Sequence, residues 1–283
     1  MAYRLYVENE LGERLELTAN PNFAVLKVDG TNPPVAAINT VPVVGMDGTK
    51  YNSGRIEQRN IVILLNINQP IEQNRLTLYR YFRVKRKVTL YYENNSRRCH
   101  IDGYVESFEN SLWTKLQQPQ ISIICPQPFW IAENDTVADF MQVIPLFEFP
   151  FDIPAAGIEF SQLQTVTSML IDVGEIETGG IITMQAMAAD VVNPRFTNST
   201  TGKFFGVDIS MQLDDIITIN TRRGEKSVTL TRGSSVTNLL NDRLTGSEWV
   251  QFVPGVNSIG YSASAGTSHL KVSVSVTQLY EGV

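Results

Sequence analysis

Cysteine and histidine are scarce in this chain of 283 residues, which has two of each. Cys99 and Cys125 cannot build a disulfide framework, and both lie in strand-like stretches where a small buried thiol is the common role. With only His100 and His269, little is left from which to assemble a nucleophile and its base. His100 follows Cys99 in a strand pattern, so the two side chains point to opposite faces and cannot share a metal. Zinc-type Cys/His spacing is absent, as is a Gly-x-x-x-x-Gly-Lys phosphate loop, and Gly45-Met46-Asp47-Gly48 is too short to replace one. The carboxylate pairs Asp214-Asp215 and Glu175/Glu177 suit turns and ion pairs better than catalysis. The expectation is no enzyme, no cofactor and no metal.

Long apolar runs are lacking too. Ile61 to Leu65 falls far short of the ~20 residues that cross a bilayer, so no membrane span is expected. Met1 to Glu10 alternates polar and apolar residues without an apolar signal core, which points to synthesis in a cytoplasm. Charged residues are only 18% of the chain and the net charge is -6, which argues against a protein that coats nucleic acid.

What is present is a large apolar fraction, 43%, enough for a packed core, and a length suggesting two domains at roughly 150 residues each. The charge is unevenly divided. Residues 1 to 125 carry 15 Lys and Arg against 12 Asp and Glu, whereas residues 126 to 283 carry 8 against 17. A proline-rich seam separates the halves, from Cys125-Pro126-Gln127-Pro128 to Pro145, Pro150 and Pro154, where missing donors prevent a regular strand from running through. The boundary is placed near Ala132 to Asp135, giving domains 1–132 and 133–283.

Short β-prone runs at Tyr3 to Val7, Arg14 to Thr18 and Phe23 to Val28 read as a small antiparallel sheet. Arg59 to Asn68 is nearly all apolar and β-branched, the pattern of a strand covered on both faces. Asn68-Gln69-Pro70 then offers an N-cap, and Ile71, Arg75, Leu78 and Phe82 fall at helical spacing. Strands return at Lys87 to Glu93, Cys99 to Phe108 and Gln120 to Cys125, the first two joined by a turn at Glu93-Asn94-Asn95-Ser96. Beyond the seam, strands are expected at Phe204 to Met211, Asp215 to Asn220, Ser227 to Thr231 and in the alternation Leu270, Val272, Val274, Val276. The fold class is mainly β: a barrel- or sandwich-like first domain with one helix, then an antiparallel sandwich of jelly-roll type.

Two surfaces are candidates for function. Arg75, Arg80, Arg83 and Lys85, with Arg55 and Arg59 upstream, read as an ion-pair surface between subunits in preference to a nucleic-acid stripe. In the second half, Trp249, Phe252 and Tyr261, with Phe204 and Phe205, are candidates for an aromatic platform on which sugars stack, core packing being the alternative.

The order Gly45-Met46-Asp47-Gly48-Thr49-Lys50-Tyr51-Asn52-Ser53-Gly54-Arg55, Arg59-Asn60-Ile61-Val62-Ile63, Arg75 to Phe82, Val88 to Tyr92, Ile101 to Glu106 and Gln120 to Trp130 resembles the distal tail protein family of long-tailed phages. Weaker likeness continues at Trp249, Val253 to Asn257 and Tyr280 to Val283. The resemblance implies a non-enzymatic virion protein at the distal end of the tail. Its first domain would form a homo-hexameric ring continuing the tail tube, with DNA passing through without specific binding. Its second, galectin-like β-sandwich would hold tail-tip, baseplate-hub and receptor-binding proteins. The other function weighed is a carbohydrate-binding adsorption module that recognises the host cell wall.

Overall fold

A computed structural model describes residues 3–114, 116–145, 161–165 and 167–283, those at 141–145 and 161–165 by backbone alone. The expected seam prolines Pro150 and Pro154 lie outside the described residues. The chain divides into two compact units, Met1–Glu133 with Leu279–Val283, and Asn134–Gln278.

The first unit contains strands β1 (Arg4–Asn9), β2 (Arg14–Glu16), β3 (Phe23–Asp29), β4 (Ala36–Pro42), β5 (Thr49–Ile56) and β6 (Arg59–Ile67). Helix α1 (Ile71–Tyr81) follows, then β7 (Lys87–Glu93), β8 (Arg98–Glu109), β9 (Gln120–Cys125) and β10 (Trp130–Ala132). All its pairings are antiparallel, in the order β2-β1-β7-β8-β9-β6-β3, with β10 added against β8. The sheet's two end strands do not pair, so the unit is an open sheet and not the closed barrel that was one expectation. β3 lies at the far edge beside β6, so the first three runs do not form a small sheet of their own.

β6 alternates. Ile61, Ile63, Leu65 and Ile67 are buried, while Asn60 is exposed and Val62, Leu64 and Asn66 are half-buried. Only one face meets the core, which corrects the expectation of a strand covered on both sides. The core gathers Leu5, Val7, Phe23, Ile101, Ile121, Ile123 and Trp130 with Leu78 of α1 and Phe82 just beyond it. The helix begins at Pro70 with no side-chain cap. The Asn68 side chain, expected to cap it, instead donates through Nδ2 to the Pro21 carbonyl, and Asn74 Nδ2 donates to the Asn68 carbonyl.

The second unit contains β11 (Thr136–Asp139), β12 (Met141–Pro145), β13 (Ser161–Thr165), β14 (Ser168–Asp172), β15 (Gly180–Ala186), β16 (Arg195–Asn198) and β17 (Lys203–Gly206). It continues with β18 (Ile216–Asn220), β19 (Ser227–Arg232), β20 (Ser235–Asn238), β21 (Val256–Ser262) and β22 (Leu270–Val276). A six-stranded sheet, β11-β22-β15-β18-β19-β20, and a four-stranded sheet, β14-β21-β16-β17, are antiparallel throughout. Residues of both sheets make one core: Ile182, Met184, Ile217, Ile219, Val272 and Val274 from the first, Ile171, Phe196, Phe205 and Ile259 from the second. β22 behaves as its alternation predicts, with Leu270, Val272, Val274 and Val276 buried and Lys271, Ser273 and Ser275 outward. Within this unit Asp135 accepts hydrogen bonds from Ser275, Thr277 and Arg222, fastening its two ends together.

The last strand, β23 (Leu279–Tyr280), belongs to the first unit. It extends that unit's sheet by pairing antiparallel with β10, Tyr280 opposite Trp130 and Leu279 opposite Ile131.

Candidate functional site

Among the described residues, strands β4 and β5 pair only with each other, from Ala36 opposite Ile56 to Pro42 opposite Thr49, with a bulge between Asn39 and Thr40. Their ladder satisfies the backbone internally. The turn between them is closed by the Met46 amide on the Val43 carbonyl, with Gly45 and Gly48 at positive φ, where a Cβ would be strained. All of β5 is exposed, as are Val35, Ile38, Val41 and Val43, with Val44 fully so and Met46 at 70% and Tyr51 at 62%. None of these side chains joins either core. A lone two-stranded hairpin is marginal in water, and a run of exposed apolar residues on one makes it a candidate contact surface. We call this hairpin the arm. Its strands were not among those expected, although β-prone residues flank a Gly-Met-Asp-Gly turn, a legible hairpin signal.

At the arm's root the Glu57 amide donates to the Val35 carbonyl. Next to it, Arg59 is 4% exposed, and its donors go to backbone carbonyls. Its Nε donates to the Pro128 carbonyl at 2.7 Å, Nη1 to the Gly30 and Asn32 carbonyls at 2.7 and 2.8 Å, and Nη2 to the Glu281 carbonyl at 2.5 Å. Burial pulls its pKa below the usual arginine value. Arg59 is thus an internal clasp and not the ion-pair partner at a subunit interface that was expected: an inward position on β6 aims it at the carbonyls of three loops.

Of the other expected interface residues, Arg55, Arg80, Arg83 and Lys85 are exposed, while the Arg75 side chain is mostly buried, at 14% exposure. Arg55 is exposed on the arm itself. Arg75 pairs with Glu72 one turn earlier on α1, and Arg80 with Glu13. Arg83 and Lys85 are exposed just past the helix. Arg80, Arg83, Arg86 and Lys87 line a shallow hollow with Glu10 and Asn9, and Arg86 lies 3.5 Å from Glu10. The basic stretch is therefore partly neutralised within its own unit, and exposed pairs of this kind contribute little stability.

The expected sugar platform is not a surface. Phe252 is fully buried and Tyr261 is 5% exposed, and Trp249 packs on the core against Phe205, 4.9 Å between centroids. Lys226 covers the Trp249 ring at 5.5 Å, and the Arg195 guanidinium lies 3.6 Å from the half-buried Phe204 ring. Tyr261 falls on the inward phase of β21, which is why its ring joins Phe140 inside. Core packing, the alternative reading, is where Phe205, Phe252 and Tyr261 are found, with Trp249 half-buried against that core.

The scarce reactive groups are spent on packing and pairing. Burial pushes both free thiols, Cys99 and Cys125, up to about 12, and so keeps them protonated at neutral pH. Burial lowers the pKa of half-buried His100, whose ring tilts against Tyr91 at 5.4 Å. His269 meets Asp190 at 2.8 Å on the surface. Buried Asp215 accepts both the Arg232 guanidinium and the Gln212 amide, which hold its carboxyl below the usual carboxylate range. Among the described residues no group of three or more His, Cys, Asp or Glu is placed to hold a metal, and no helix is long and apolar enough to cross a membrane.

The described residues thus make up two antiparallel β units, the first carrying a hairpin of exposed apolar side chains. Residues 11–125 match the family described as phage tail protein RIFT-related domain, and residues 173–279 match the siphovirus-type tail component, C-terminal domain. The chain belongs to the phage distal tail component family and is a structural component of phage tails. Its fold is similar to that of the Dit protein of phage SPP1, described as a paradigm of the hub adsorption apparatus in phages that infect Gram-positive bacteria. That likeness has 11% identity, a TM-score of 0.67, and covers 99% of this chain and 100% of that one. A chain in the baseplate of phage P2, in its activated conformation with calcium, is similar at 12% identity and a TM-score of 0.52, with complete coverage of both chains. No curated protein sequence matches the chain.

Proposed function

We propose that this protein forms a hexameric ring at the distal end of a phage tail, continuing the tail tube on one side and holding tip or baseplate and receptor-binding proteins on the other. The single observation that carries the ring is the arm. A closed ring needs head-to-tail contacts between two different patches of each copy, and a hairpin that exposes Ile38, Val41, Val44, Met46 and Tyr51 supplies one patch reaching beyond its own unit. Burying those side chains against a neighbour also gives the hairpin the cover it lacks in the single chain. The number six and the axial passage for DNA rest on the family resemblance. A place at the hub is supported by the similar SPP1 protein, which is described as part of such an apparatus. Virion proteins of this kind are made in the host cytoplasm.

Negative-stain microscopy of the purified chain, alone and with the tail-tube protein, tests the reading. Sixfold annuli are expected. Particles of single-chain size under both conditions would contradict it.

A further inference from the structure

The segment that follows the second unit, Leu279–Val283, is built into the root of the arm. One guanidinium joins the two: Arg59 donates to Gly30 and Asn32, which begin the turn leading to β4, and to Glu281 of the returning segment. The Val283 amide donates to the Thr31 carbonyl between them. Gly282 lies so close that an added Cβ would stand 3.1 Å from the Thr31 oxygen and 3.2 Å from Pro33 Cδ. On the other flank, Gly30 has φ +85° and leaves no room for a Cβ, which would stand 2.1 Å from the Asn60 oxygen. The turn at residues 30–33 is thus packed against β6 on one flank and against the returning segment on the other. The segment is itself fastened by β10, by Arg97 donating to the Gly282 carbonyl at 2.5 Å, and by the Arg97 guanidinium 4.6 Å from the Tyr280 ring centroid.

We propose that Leu279–Val283, clasped by Arg59 and Arg97, is the positioning element that aims the assembly arm, so that the first unit acquires its assembly geometry only after the chain has been made through the second. The proposal rests on the reading of the arm as a contact between copies. A buried arginine that spends its donors on backbone carbonyls has no freedom to follow a displaced loop, so removing one of the joined segments frees the other. Because these five residues follow the second unit in sequence order, a chain not yet made through that unit displays an arm without a fixed direction, and premature association is disfavoured.

Spin labels at Asp47→Cys on the arm's turn and Gln73→Cys on α1 measure the direction. Cys99 and Cys125 are buried and protonated and do not compete for the label. The full chain, diluted with unlabelled protein, is expected to give one narrow distance distribution. A chain ending at Gln278 is expected to give one broader by at least about twofold, since a hinge released from its packing samples its local wells freely. Should that shortened chain fail to fold, Gly282→Leu, which drives a side chain into Thr31 and Pro33, is expected to shift or broaden the distribution while circular dichroism stays unchanged. An unaltered distribution in a folded shortened chain, or in folded Gly282→Leu, overturns the proposal. Failure of the assembly reading is seen separately, as rings that survive charged substitutions on the arm.

Discussion

β22 and the arm are built from similar residues and meet opposite fates. Leu270, Val272, Val274 and Val276 disappear into the second unit's core, while Ile38, Val41, Val43 and Val44 stand in solvent. β22 lies between two other strands, and a second sheet covers its inner face, whereas β4 and β5 have only each other. Intrinsic strand preference therefore decides that a segment is extended, and cover decides whether it stabilises its own chain or waits for another. The comparison separates residues that hold the fold from residues proposed to hold the assembly.

The largest effect expected is on the covered side. Phe252→Ala, in the second unit's core, should cost about 3–5 kcal/mol, read as a fall in the denaturant midpoint. On the arm, Val44→Asp with Met46→Asp should change stability by no more than about 0.5 kcal/mol, because neither side chain touches a core. The same pair should lower self-association by at least about tenfold, read by sedimentation, as expected of central apolar contacts. A large loss of stability in that variant would place the arm on the wrong side of the comparison.

Acid sharpens the contrast between the units. His100 in the first unit has a folded pKa lowered by burial, so the unfolded chain takes up its proton first. The stability its neutral form provides is present above about pH 6.5 and is lost as pH falls from there toward the folded value. In the second unit, Asp215 has a lowered carboxyl pKa, held by Arg232, and its contribution is lost only as pH falls below the ordinary carboxylate value of about 3.9. The first unit is expected to weaken between pH 7 and 5 and the second to hold. His100→Phe should flatten that part of the first unit's profile, read by urea denaturation at each pH. A slope that survives the substitution would remove His100 as its cause.

The smallest effect is expected at the helix. Reversing Arg80 and Arg83 to Glu should weaken association less than the arm variant does and shift stability by only about 0.5 kcal/mol, since the Arg80 pair with Glu13 is exposed. Association weakened more than by the arm variant would move the principal contact to α1.

The sequence made legible whatever depended on neighbours along the chain. The period of Ile71, Leu78 and Phe82 marks α1, and the alternation after Leu270 marks β22 with its buried face. Glu93 to Ser96 does form a turn, where the Asn94 side chain accepts the Ser96 and Arg97 amides. Arg59 was not legible, because a basic residue opening an apolar strand looks like a surface ion-pair partner, and the carbonyls that take its donors come from residues 30, 32, 128 and 281. The aromatic platform failed for a related reason: composition counts rings but does not say which phase of β21 faces inward. The return of residues 279–283 to the first unit rests on a pairing that spans nearly 150 residues of intervening chain and leaves no local trace.

The most direct test is the light-scattering mass of the unaltered chain across a concentration series, beside that of the Val44→Asp, Met46→Asp variant with its fold verified. The account predicts mass rising to six copies for the first and remaining at one for the second. Equal masses for the two, at six copies, would contradict it.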